Sequence, residues 1–267
     1  GAGSLTVTGN NTQTGITTVS AGTLTVNSGG LLSAAAAELV VNGGALNLNQ
    51  TAQTVAKLSG SGGTITFGSG HTLTLAQIAN TAFLGTLAGA GNFQKSGGGE
   101  LTLSGGSGYG GSTAVSGGTL KIGATGQLGS TSSFTFDGGT LALQSYVVSN
   151  TSAPLTIGAS GGTIDFGASL TSSLLLANSS AQTWSGTLTI TNYQTGVDTL
   201  RFGTNASALT SGQLAQISFS NYGGVGGAID GLGNVSPIPE PSTYAAIFGA
   251  LALAFAARRR LVSQRRS

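Results

Sequence analysis

Gly22-Thr23-Leu24-Thr25-Val26 is a phrase that the chain repeats, with copies starting at Gly3, Gly44, Gly63, Gly99, Gly118, Gly139, Gly162 and Gly186. The third position is Leu5, Leu24, Leu46, Ile65, Leu101, Leu120, Leu141, Ile164 or Leu188, and the fifth is Val7, Val26, Leu48, Phe67, Leu103, Ile122, Leu143, Phe166 or Ile190. Between them stands Thr6, Thr25, Asn47, Thr66, Thr102, Lys121, Ala142, Asp165 or Thr189. Alternation with period two marks a strand with one buried face, so this middle residue faces solvent.

The glycines are spaced by 19, 22, 19, 36, 19, 21, 23 and 24 residues. Near-constant spacing at this length, with one strong strand per unit, is the pattern of a solenoid in which each unit is one coil of backbone. The 36-residue interval holds His71-Thr72-Leu73-Thr74-Leu75, which is expected to form an extra rung. A single strand of this kind cannot bury its face alone, whereas stacked rungs share a continuous apolar interior. The expected fold is all-β, a right-handed parallel β-helix. An antiparallel sandwich of short hairpins is the competing arrangement.

Composition agrees with a solenoid. There are 47 glycines and 4 prolines among 267 residues, 39% are hydrophobic, and 6% are charged. The glycines do not fall every third residue, which excludes collagen, and periodic apolar residues argue against disorder. No cysteine is present, so disulfides and thiolate sites are excluded. The chain lacks methionine and starts at Gly1 inside a repeat, so a fragment or processed form is expected, with any secretory signal upstream. Five of the nine basic residues (Arg258, Arg259, Arg260, Arg265 and Arg266) lie in the last ten positions. The rest is mildly acidic and offers no basic stripe for nucleic acid.

Residues 1–30 read GAGSLTVTGNNTQTGITTVSAGTLTVNSGG, and 89–129 read GAGNFQKSGGGELTLSGGSGYGGSTAVSGGTLKIGATGQLG. Both run strand, turn, Thr or Ser pair, short Val strand, then Gly-Thr-Leu and an aliphatic residue. This order resembles the autotransporter-associated β-strand repeat of exported bacterial proteins, which implies a β-solenoid. The repeats are expected over 1–168. Residues 34–41 and 72–84 are less strand-like, and Ala34-Ala35-Ala36-Ala37-Glu38-Leu39 fits either a helical turn or a rung corner.

From 169 to 222 the aromatics Trp184, Tyr193, Phe202, Phe219 and Tyr222 thicken, and 209–217 has the spacing of a short helix that Ser211 can cap. Terminal rungs and a cap are expected here; an aromatic sugar-binding surface is the alternative. Residues 223–236 read as a Gly-rich linker.

The tail, 237–267, contains Pro239-Glu240-Pro241, an uncharged run 242–257 and Arg258-Arg259-Arg260. Sixteen uncharged residues are short for a span of about 20, but an abrupt arginine stop fits a membrane helix with a cytoplasmic end. This segment resembles a PEP-CTERM sorting signal. The resemblance implies that Pro239, Glu240 and Pro241 are the recognition motif, 242–257 the single C-terminal hydrophobic helix, and Arg258, Arg259 and Arg260 the basic stop. It further implies an exosortase-type processing enzyme as partner and Sec export in a Gram-negative-type bacterium. The inner membrane would hold the chain transiently before it reaches the cell surface or extracellular matrix, where polysaccharide is a further partner.

Chemistry is sparse. Glu38, Glu100, Asp137, Asp165, Asp198, Asp230 and Glu240 are the carboxylates, and His71 is the single histidine. Asp165 and Lys121 share an outward position about two rungs apart, too sparse for a glycosidase or lyase site. Gly223-Gly224-Val225-Gly226-Gly227 approaches a calcium-binding nonapeptide, but Ala228 stands where the ligand Asp belongs. The expectation is a non-enzymatic structural or adhesive protein without cofactor or metal. A carbohydrate-active β-helix enzyme and an autotransporter passenger fragment are the alternatives.

Overall fold

The computed structural model describes residues 2–32, 37–168 and 171–238. The chain winds as a parallel β-solenoid with three stacks of short strands. The first stack pairs Ser4–Val7, Thr23–Val26, Ala45–Leu48, Thr64–Phe67 and Thr86–Gly89. The second runs Ala52–Val55, Thr72–Ala76, Asn92–Ser96, Thr113–Val115, Phe134–Phe136 and Leu155–Ile157. In the third, Thr17–Val19, Glu38–Val41 and Lys57–Ser59 lead through the Gly60–Phe83 bridge to Thr81–Phe83. It continues with Glu100–Leu103, Thr119–Ile122, Thr140–Ala142, Gly162–Asp165, Leu188–Thr191 and Ile217–Phe219.

Every pairing in these stacks is parallel, and like residues sit over like. Leu24, Leu46, Ile65 and Leu87 form one column, and Leu101, Leu120, Leu141, Ile164 and Ile190 another. From Leu39 to Phe219 these inward residues are almost completely buried. Each such side chain contributes about 1.5–3 kcal/mol relative to exposure.

The repeated phrase does not keep to one stack. Leu5, Leu24, Leu46 and Ile65 belong to the first, whereas Leu101, Leu120, Leu141 and Ile164 belong to the third. The 36-residue interval is therefore one coil plus a shift of face. Its extra rung in the first stack is Thr86–Gly89; residues 72–76 lie in the second stack beside Ala52–Val55. At the last copy the register moves by two, so that Ile190 rather than Leu188 covers Ile164.

After Thr86–Gly89 the first stack loses its strands, and side chains take over. Leu87 bridges Ser107, the Ser107 hydroxyl donates to Gln127 Oε1, and Asn150 Nδ2 donates to Leu128 O at 2.9 Å and Thr131 O at 2.6 Å. Strands resume at Val147–Asn150, Ser173–Leu176 and Thr199–Phe202. Inside this stretch the buried Tyr109 hydroxyl lies 2.6 Å from Thr113 Oγ1, which lies 2.7 Å from Thr131 Oγ1. A hydroxyl chain of this kind satisfies polar groups that the missing ladder leaves behind.

Residues 72–84, weakly strand-like in sequence, hold the strands Thr72–Ala76 and Thr81–Phe83. They are joined by the buried Gln77, whose amide donates to Glu100 O at 2.6 Å and Ala79 O at 3.1 Å. Of 34–41, Glu38–Val41 is a strand, and 33–36 lie outside the described residues.

Lys95 occupies an inward position between Leu75 and Val115 and is completely buried. Its Nζ donates to Ser96 O at 3.1 Å, Gly97 O at 2.8 Å and Gly117 O at 3.2 Å. Burial pulls its pKa down from 10.5 to about 8.

Corners need glycine where coils touch. Gly118 has φ +59°, and a Cβ there would overlap Gly99 O. Gly98, at the same corner, faces open space. Gly118→Ala is expected to cost roughly 3 kcal/mol in urea unfolding, and Gly98→Ala to stay near neutral; equal effects would contradict the stacked corner. For Lys95 the unfolded chain holds a proton that the folded one has lost between pH about 8 and 10.5. Stability of the wild type relative to Lys95→Met should therefore rise by about 3 kcal/mol across that window. A pH-independent difference would contradict the buried amine.

Candidate functional surface and sorting segment

Outward side chains of the third stack form two columns. One is Glu100, Thr119, Thr140, Thr163, Thr189, Ser218; the other is Ala82, Thr102, Lys121, Ala142, Asp165, Thr191. Strand spacing sets their interval at about 4.8 Å. The first stack presents Ser4 and Thr6, Thr23 and Thr25, Ala45 and Asn47, Thr64 and Thr66, and Thr86 and Ala88, without a charge. Amides link neighbouring coils: Asn47 Nδ2 to Thr25 Oγ1 at 3.5 Å, and Asn49 Nδ2 to Asn27 Oδ1 at 3.4 Å.

Charged groups serve local structure. Glu38 pairs with Lys57 at 2.7 Å, and Glu100 with Lys121 at 3.5 Å; all four are about a quarter to a third exposed, where such pairs add little. Asp165 is separated from Lys121 by Ala142 in its column. It accepts from Gly167 N at 3.0 Å and Asn192 Nδ2 at 2.7 Å. Buried Asp198 accepts from Ser172 N at 2.8 Å and Gln194 N at 2.7 Å. Asp137 accepts from Ser160 N at 2.8 Å, a bond that lowers its pKa. Hydrogen bonds from Asn234, then Leu232, likewise hold the Asp230 carboxyl below the usual range.

His71 Nδ1 lies 3.3 Å from Leu48 O. Among the described residues no group of three or more His, Cys, Asp or Glu is placed to hold a metal. Glu240 lies outside the described residues.

The aromatics of 169–222 turn inward rather than forming an exposed platform. Tyr193 stands 5.1 Å from both Phe166 and Phe219, edge to face, and Trp184 stands 6.1 Å from Phe202. Trp184 Nε1 donates to Leu155 O at 2.8 Å, and Tyr193 OH donates to Val235 O at 3.2 Å. Burial, with the Asp198 charge nearby, pushes the Tyr193 hydroxyl up to about 12.

The short helix is Ser211–Ala215, but its cap is Thr210, whose hydroxyl accepts from Gln213 N while Gln213 Oε1 accepts from Thr210 N. Gln213 completes the box where Ser211 has no such partner, and its amide also ties the helix to Ser179 O and Gln182 O, each at 2.9 Å.

The Gly-rich stretch 223–236 is not a linker throughout. Gly227–Ile229 and Val235–Pro237 pair antiparallel, with Val235 buried. Glycine here supplies turns: Gly233 has φ +85° and its carbonyl accepts from Phe202 N at 2.9 Å. Pro239, Glu240, Pro241, the run 242–257 and Arg258, Arg259 and Arg260 lie outside the described residues. Among the described residues no helix is long and apolar enough to cross a membrane.

A solenoid body followed by a sorting segment defines an exported cell-surface class of protein. Residues 1–26 and 93–122 match the passenger-associated-transport-repeat, and residues 237–260 match the PEP-CTERM protein-sorting motif. The chain is also similar to the adhesin BmaC autotransporter of Brucella suis biovar 1 (strain 1330), with 39% identity over 90 residues. That alignment covers 34% of this chain and 3% of the adhesin. No solved structure matches the chain significantly.

Trp184 is the single tryptophan, so its fluorescence reports this end directly. Its emission is expected to be blue-shifted, weakly quenched by acrylamide and unchanged by added oligosaccharides. A red-shifted, readily quenched or sugar-sensitive emission would contradict the inward packing.

Proposed function

We propose that this chain is a non-catalytic, exported structural or adhesive protein, a rod sorted through its C-terminal motif. The observation that carries the reading is the joining of a parallel solenoid to the PEP-CTERM match at 237–260 within one chain. In this reading Pro239, Glu240 and Pro241 are recognised by an exosortase-type enzyme, 242–257 holds the chain in the inner membrane, and Arg258, Arg259 and Arg260 stop it there. Removal of the tail then passes the body to the cell surface or extracellular matrix.

The adhesive part of the proposal draws on the autotransporter adhesin similarity. Its physical basis is repetition. A single Thr or Asn contact is weak, but columns repeated every coil, about 4.8 Å apart, add many such contacts on one rigid support. A neutral polysaccharide of the matrix is a partner suited to the uncharged rows of the first stack. The hydrogen-bonded roles of the carboxylates favour this reading over a glycosidase, which needs two free carboxyl groups facing one substrate.

Intact mass of the protein recovered from its host tests the sorting step. Loss of the residues beyond about Pro241 is expected only when the exosortase gene is intact, and Glu240→Ala should block it. A full-length tail in both strains would contradict processing.

A further inference from the structure

We draw no further inference here: the strongest candidate, the apolar patch of the first described coil where Leu5 and Ile16 are exposed beside the strand Ser4–Val7, carries nothing because nothing in the structure shows what covers it.

Discussion

Each coil of this protein has its backbone satisfied chiefly by the coils above and below, and that dependence shapes everything else. Strands of three to five residues cannot stand alone, yet stacked in register they form columns of identical or similar side chains. The spacing between coils is set by the hydrogen bonds, so a corner where backbone meets backbone has no room for a Cβ. Hence the glycines at Gly44, Gly63, Gly99, Gly118 and Gly186, where a Cβ would meet the neighbouring coil's backbone, and hence a composition that would suit disorder if the apolar residues were not periodic. With so few charges available, cohesion rests on apolar burial and backbone pairing rather than ion pairs.

The interior is not uniform. Where the first stack loses its strands, between Thr86–Gly89 and Val147–Asn150, buried Ser107, Gln127, Thr131 and Asn150 replace ladder bonds. Toward the C-terminal end the coils close differently, with Tyr193 edge to face against Phe166 and Phe219 and its hydroxyl donating to Val235 O in the hairpin of Gly227–Ile229 and Val235–Pro237. Such an end gives a terminal coil partners that another coil would otherwise supply. The last strand among the described residues, Val235–Pro237, thus meets the sorting-motif match, which starts at 237.

Much of the fold is legible in the residues. Alternation at Leu24 and Val26 or Leu101 and Leu103 identifies buried positions, because period two has one geometric meaning. Which stack a phrase enters is not legible: Gly63 and Gly99 open the same wording but lead to different stacks, since the shift depends on how much chain the intervening corners consume. Lys95 escapes notice because charge suggests solvent, although its parity with Phe93 already places it inside. Residues 223–236 suit a linker by composition yet hold a hairpin strand pair, because glycine serves tight hairpins and loose chain equally. Thr210 and Ser211 fit the cap equally by residue type; the glutamine at 213 is what distinguishes them. The sorting segment, by contrast, is local in sequence and readable without tertiary knowledge, whereas the outward Thr and Asn rows specify no ligand by themselves.

The proposed function follows from stacking: a rod whose surface repeats with its backbone and whose C-terminal segment matches a sorting motif. The absence of cysteine allows clean spin labelling of that stack. Labels at Thr119→Cys and Ser218→Cys lie 99 residues apart in sequence but four strand steps apart along the third stack. A pulsed electron–electron distance measurement should give one narrow peak near roughly 19 Å, the spacing of four parallel strands. A broad distribution, or a peak at much greater distance, would contradict the solenoid.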